Sequence, residues 1–227
     1  MEQRIDVRNR RGRAIIKTTG RAVARWASML LLGSSLAASA WSADGRAAKV
    51  NFVIAGTILA VEDGDTLTLR GAGGGRFHIR LSDIDAPELA HDHNPYRQRR
   101  QCRSAPASAP RQPGGENARA ALAKRAPRKA AARAECYAID AYGRPICHVF
   151  VGATNLNIEQ LRDGWAMLLT KRAWLRDPAS LAAEQSARQA RRGIWAGASP
   201  QSPHSWREDC WCRAKCAARG RIARDGG

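Results

Sequence analysis

Acidic residues are scarce in this chain of 227 residues. Only 20 Asp and Glu stand against 38 Lys and Arg, for a formal net charge of +18. So few carboxylates leave little to attract a polycation, and the basic excess favours an anionic partner: nucleic acid, a membrane surface or an acidic polymer. Long apolar runs are also lacking. The uncharged run from Trp26 to Ala40 is too short to span a bilayer comfortably. No strongly amphipathic basic helix dominates the chain, which argues against a cationic membrane-surface protein. Internal repeats are absent, which excludes a repeat array. A length of 227 residues and 44% hydrophobic content suit one main domain with a real core and appendages.

What is present near the N-terminus reads as an address. Eight Lys/Arg and two acids precede the apolar run, and Ala38-Ser39-Ala40 forms a small-x-small cleavage site. This is the layout of a secretory signal peptide over 1–40, followed by a short linker, 41–49. No Cys stands at the cleavage site to carry a lipid. The remainder keeps a net +12, so the basic bias belongs to the folded protein too. An exported protein with a periplasmic or secreted destination and no stable membrane association is the expectation.

All six cysteines follow the leader: Cys102, Cys136, Cys147, Cys210, Cys212 and Cys216. An even count in an exported chain suggests disulfides. Cys136 and Cys147 lie symmetrically about the turn Asp140-Ala141-Tyr142-Gly143, so a hairpin there would bring them into a cross-strand bridge. The tail "CWCRAKC" could form a metal clip, but its spacing is not a common zinc pattern, and disulfides are favoured.

From Val50 the pattern turns to strands. Residues 50–63 are β-branched-rich, 66–70 alternate with period two, and 76–85 return as a third strand. The alternation breaks near Ser82–Asp83, which predicts a bulge. Residues 129–140 and 145–152 form a second hairpin. Helices are expected over 116–125 and 155–164, and again after Asp177 as N-cap, with Gly193 as stop. Residues 89–115 lack periodicity and read as a long mobile loop. Five strands and about three helices suggest α+β, best arranged as a small OB-type β-barrel with helices against one side.

The few carboxylates are clustered. "VEDGDTLTLR", 61–70, holds Asp63 and Asp65. "RLSDIDAPEL", 80–89, holds Asp83, Asp85 and Glu88. Neighbouring strands would bring Asp65 near Asp85 and Glu88. Carboxylates so close repel unless a proton or cation intervenes, and a hard divalent cation held by oxygens would resolve the conflict. Taken alone, Asp63-Gly64 is simply a hairpin turn and 85–88 the start of a loop.

Together the two segments closely resemble the first diagnostic motif of the thermonuclease, or staphylococcal nuclease-like, family. Asp63, Gly64, Asp65, Thr66, Arg80, Asp85, Pro87 and Glu88 occupy its fixed positions. "DAYGRPICHVF", 140–150, is similar to the second motif, with Ala141 in place of the usual basic residue. "NLNIEQLRDGWA", "ARQARRGIWA" and "PHSWR" also look like the family's C-terminal half. The resemblance covers roughly 50–207, with 89–112 as an inserted basic loop and 208–227 as a Cys/Arg-rich tail.

The resemblance implies a five-stranded OB-type barrel and a calcium-dependent phosphodiesterase, an endonuclease acting on DNA and RNA. It also implies roles. Asp65, Asp85 and the Ala86 carbonyl would bind Ca2+. Glu88 would act as general base on water. Arg80 and Arg144 would grip the phosphate, and Tyr142 would touch the substrate. The chemistry agrees: arginine's fork of donors binds two phosphate oxygens at once, and a carboxylate within reach can take water's proton. Asp63 is either an outer-shell carboxylate or only the turn residue. His91 and His93 read as solvated. Arg97, Arg99, Arg100 and Arg103 would hold the polyanion backbone, and Trp206 and Trp211 would add stacking contacts. A monomer is expected. The main rival is a non-catalytic OB-type nucleic-acid-binding module.

Overall fold

The structure is a computed structural model and describes residues 49–169, 177–197 and 199–216. The expected leader, nearly all of the linker and the tail beyond Cys216 lie outside the described residues.

Five strands close into a barrel. They are β1 (Phe52–Val61), β2 (Thr66–Gly71), β3 (Arg76–Leu81), β5 (Ala131–Ile139) and β6 (Pro145–Val151). β1 pairs antiparallel with β2 and β5, β2 with β3, and β5 with β6. Closure comes from a short parallel seam between β3 and β6, at Arg80↔Ile146 and Leu81↔Cys147. Full closure leaves few unpaired edges. A two-residue strand β7 (Thr154–Asn155) extends β6. The expected α+β class and OB-type barrel are observed.

The barrel interior is filled by Ile58, Leu67, Leu69, Ile79, Leu81 and Val149, all essentially inaccessible. Each such side chain contributes roughly 1.5–3 kcal/mol by leaving water. α1 (Gly115–Arg125) and α2 (Leu156–Arg162) add Leu122, Leu156 and Leu161 to the same core. α3 (Ala179–Gln189) packs on α2, and one-turn α4 (Pro203–Trp206) precedes a wider π-type turn, Arg207–Cys212. Asn155 caps α2 by accepting from the Asn157 and Ile158 amides. Asp177 accepts from the Ala179 amide, so its capping role stands although the helix proper starts just after Pro178.

Fully buried Asn157 ties barrel to helix. Its Nδ2 donates to the Ser82 and Cys147 carbonyls at 2.9 and 3.1 Å, and its Oδ1 accepts from the Val149 amide at 3.0 Å. Gln160 does the same for the first carboxylate turn, donating to the Gly64 carbonyl at 2.7 Å and the Ala118 carbonyl at 3.1 Å. Gly64 is there for space: a Cβ would lie 2.5 Å from the Ala86 methyl and 2.7 Å from the Ala118 methyl.

Two expectations are corrected. The break at Ser82–Asp83 is a turn rather than a bulge. Asp83 adopts φ 66°, and β3 ends at Leu81. The next residues, β4 (Ile84–Asp85), leave the barrel and pair with β8 (Met167–Leu168). An aspartate tolerates this left-handed backbone better than most residues. The ladder irregularities lie elsewhere, at Leu59 in β1 and Tyr137 in β5.

The second correction concerns the loop read as mobile. Residues 91 and 109 pair, Pro95–Gln98 form a 3-10 turn, and Tyr96, Cys102 and Ala109 make a second apolar cluster with Cys210, Trp211 and Cys212. The Cys102–Cys212 disulfide joins loop to C-terminal segment across 110 positions. Asn94 adds a hydrogen bond to the Trp211 carbonyl at 2.7 Å. The partners of this cluster lie too far apart in sequence to show any local period. Cys136–Cys147 forms as the hairpin argument predicts, and Cys210–Cys216 closes the tail. Three disulfides are typical of chains from an oxidising compartment. Among the described residues no helix is long and apolar enough to cross a membrane.

Candidate active site

A cleft of about 730 Å³ opens at the barrel rim. Three separate stretches build its floor. The β1–β2 turn supplies Asp63 and Asp65, β3 supplies Arg80, and the segment after β4 supplies Ala86 and Glu88. The β5–β6 turn adds Tyr142 and Arg144, and the inserted loop with the C-terminal segment adds Tyr96, Arg99, Arg207 and Trp211.

Asp65 is buried and fully engaged. Arg80 ion-pairs with its Oδ1, and the Ala86 amide donates to its Oδ2 at 2.6 Å. The same Arg80 reaches Asp85 at 2.8 Å and the Ile84 carbonyl at 3.2 Å. A single guanidinium therefore bridges the two carboxylate segments. Asp85 is also buried and joins the cleft through these ion pairs rather than by lining it. Asp63 accepts from the Asp65 amide at 2.9 Å, so it makes the turn and also faces the cleft. Asp83 points elsewhere, to buried His148 at 3.2 Å.

Glu88 is positioned by its backbone. The Glu88 carbonyl accepts from the Gln112 amide at 2.9 Å, and a Cβ at Gly115 would lie 2.3 Å from that carbonyl. Gly115 thus lets α1 start hard against Glu88. Burial raises the Glu88 carboxyl above the ordinary glutamate range; Arg207 opposes this, while Asp85 and Asp63 add to it. Burial likewise raises Asp63 against the pull of Arg80.

Arg144 sits on the opposite turn. Asp140 organises it, accepting from the Tyr142 and Arg144 amides at 2.9 Å and from Arg144 Nε at 2.8 Å. Desolvation alone would raise the Asp140 carboxyl, but these hydrogen bonds outweigh it and hold it low. Tyr142 stands 76% exposed beside Arg144.

Asp65, Arg80, Ala86, Glu88, Tyr142 and Arg144 thus line one cleft and Asp85 is ion-paired into it, whereas of the loop arginines Arg97, Arg99, Arg100 and Arg103 only Arg99 lines it. The residue that sequence reasoning missed is Arg207. It donates to both oxygens of Asp85, at 3.1 and 2.9 Å, and pairs with Glu88. Burial would lower its affinity for a proton, but Asp85 and Glu88 more than reverse that. The string "PHSWR" ends on Arg207, yet nothing local shows that it reaches back 122 positions to Asp85. A further expectation is corrected: Trp211 is not free for stacking. It is buried, its indole N–H donates to the Pro110 carbonyl at 2.8 Å, and its ring packs edge to face with Tyr96. Trp206 is half-buried and donates to the same carbonyl at 3.2 Å. His91 and His93 are exposed, as expected for solvated histidines.

The carboxylate oxygens are donors of the type a hard cation takes. Asp63, Asp65, Asp85 and Glu88 share the cleft with Arg80, Arg99 and Arg207, while Arg144 is matched by Asp140. Of these four carboxylates only Asp65 and Asp85 are buried, and Arg80 and Arg207 already pair with them, so a dication would have to displace a guanidinium to reach either. Among the described residues no three His, Cys, Asp or Glu side chains converge as a ready-made cage. Water would therefore fill much of any cation's shell.

A closed five-stranded OB-type barrel with a mixed carboxylate–arginine cleft at its rim defines an α+β protein of the OB class. The chain belongs to the staphylococcal nuclease homologue family, which matches residues 78–197. The match starts after the first carboxylate turn and ends before Arg207. The chain is 27% identical over 150 residues to an "uncharacterized endonuclease" of Haemophilus influenzae, covering 66% of this chain and 71% of that protein. It is 32% identical over 134 residues to the probable staphylococcal-like nuclease CAN1 of Oryza sativa subsp. japonica, and 27% identical over 134 residues to CAN2. These matches cover 59% of this chain but only 33% and 30% of the rice proteins.

Proposed function

We propose that the protein is a calcium-dependent nuclease that hydrolyses phosphodiester bonds of DNA and RNA. The observation that carries this reading is the meeting of Glu88, Arg80, Arg144 and buried Asp65 in one cleft, from segments far apart in sequence. Relatives named as nucleases support it.

Glu88 takes a proton from the attacking water, and burial raises its affinity for that proton, which suits a general base. Arg80 and Arg144 bind the phosphate oxygens as charge grows on them. Arg144 is held in place for this by Asp140. Tyr142 contacts the substrate beside the reacting phosphate. Asp65, Asp85 and the Ala86 carbonyl would hold calcium, which supplies Lewis-acid stabilisation of that charge when bound. We place the protein outside the cytoplasm as a monomer: weak calcium sites suit extracellular calcium levels, and its disulfides suit an oxidising compartment.

A non-catalytic OB-type nucleic-acid-binding module is the second reading. Its supporting observation is that Arg80 and Arg207 already satisfy Asp85. Digestion of single-stranded DNA and RNA by the oxidised protein, with calcium and with a chelator, separates the readings. Cleavage only with calcium is expected. Equal cleavage in both would overturn the metal assignment, and binding without cleavage would favour the module.

A further inference from the structure

Arg80, Arg99, Arg144 and Arg207 all line the cleft. Three are matched by carboxylates: Arg80 by Asp65 and Asp85, Arg207 by Asp85 and Glu88, Arg144 by Asp140. Arg99 differs. Among the described residues no carboxylate pairs with it. Its guanidinium carbon instead lies 3.7 Å from the centre of the Tyr96 ring. Such a contact orients a cation without cancelling its charge.

The shelf beneath Arg99 is rigidly built. Tyr96 is only 7% exposed. Asn94 caps the turn by accepting from the Tyr96 amide at 2.9 Å, and the Arg99 amide donates to the Tyr96 carbonyl at 3.0 Å. Trp211 and Tyr96 meet edge to face with ring centres 5.8 Å apart, and Cys102–Cys212 fastens the loop to that tryptophan's segment. A side chain layered on a fixed ring loses less freedom on binding than a free surface arginine.

We propose that Arg99, layered on Tyr96, is a phosphate subsite for a nucleotide adjoining the one cleaved. The inserted loop is thus part of the substrate cleft, and the substrate is a polynucleotide with more than one phosphate engaged. This rests on the reading of the cleft as a nuclease site, but its test needs no turnover. An arginine can stack by its face and still present two donors to a phosphate along its edge.

The test uses the oxidised full-length protein carrying Glu88→Gln, so that bound nucleic acid stays intact. Binding of labelled oligothymidylates from two to eight nucleotides is measured over a salt series. We expect Arg99→Ala to weaken binding of the longer oligomers about tenfold and to flatten the salt slope by about 0.7, the share of one phosphate contact on a single strand. The affinity gained when one further nucleotide reaches the subsite should vanish from the length series. Arg99→Lys should restore the salt slope but not the affinity. Arg76→Ala, an exposed cation at the opposite end of β3 from Arg80 and outside the cleft, should change affinity less than twofold. Equal losses from Arg76→Ala and Arg99→Ala would overturn the subsite, as would an unchanged length series. If the protein with Glu88 intact cleaves and Arg99→Ala binds normally, the subsite alone fails. If it does not cleave but Arg99→Ala binds weakly, the nuclease reading alone fails.

Discussion

Replacing Cys102 and Cys212 together by serine should be the most damaging loss of a disulfide in this protein. The bridge spans 110 positions. Cys136–Cys147 lies inside that span and short-circuits 11 of them, so the effective loop is about 100 residues. Closing such a loop removes chain entropy from the unfolded state worth about 4.7 kcal/mol, against just under 3 kcal/mol for an 11-residue loop. For a domain of this size each kcal/mol moves Tm by about 2–4 °C, so the double serine variant should melt about 9–19 °C lower. The Cys136→Ser/Cys147→Ser variant should fall by roughly 6–12 °C on the same scale. Scanning calorimetry of oxidised wild type and both variants reads the difference. A drop below about 4 °C for the long bridge, or a reversed ranking, would refute the reasoning. It would mean that the clasp between loop and C-terminal segment is held by Tyr96, Trp211 and Asn94 without help from sulfur.

Other outcomes follow from single contacts. Asn157→Ala should cost about 3 kcal/mol, because it strips side-chain partners from the buried Ser82 carbonyl and Val149 amide at roughly 1–3 kcal/mol each; denaturant unfolding showing under about 1 kcal/mol would contradict this. Glu88→Gln should lower kcat by about 10²–10⁴ with an unchanged circular dichroism spectrum, and wild-type turnover would remove Glu88 from the mechanism. The acid limb of kcat/KM should lie above the ordinary glutamate range, because burial raises Glu88 and the base works only when ionised. Arg207→Ala removes the cation that holds Glu88 down, so this limb should move further up; a limb that stays put would break the link between the two residues. Arg144→Ala should lower turnover by about 10²–10³ with the fold intact, whereas Arg80→Ala should also destabilise, since it leaves buried Asp65 without a cation and takes one of two from Asp85.

The barrel strands are legible because period-two alternation is a local signal; β2 falls where it places it, and β3 starts where it places it but ends at Leu81 rather than at residue 85. The Cys136–Cys147 bridge was legible because it sits symmetrically about one turn. Convergence of Asp65, Arg80, Asp85 and Glu88 followed from two short motifs on neighbouring strands. What stayed hidden depends on distant partners. The parallel seam of β3 with β6 carries no local pattern, although it is what brings Arg80 and Arg144 to the same rim. The inserted loop looked aperiodic because its apolar side chains pack on residues 210–212 rather than on one another. Arg207 was invisible for the same reason: its meaning lies in Asp85 and Glu88, more than a hundred positions earlier. A turn at Asp83 and a bulge there break the strand alternation in the same way, so the sequence pattern does not tell them apart.

The reach of Arg207 back to Asp85 and Glu88 has a consequence in time. A chain grows from its N-terminus, so the carboxylates are made long before the cation that balances them. Until residue 207 has been added, Glu88 lacks its paired cation and Asp85 has Arg80 alone, and until Cys102 has met Cys212 the wall bearing Tyr96 and Arg99 lacks its covalent mooring. The cleft is therefore completed only after residue 212 has been made, and its covalent mooring waits on oxidation as well as on translation.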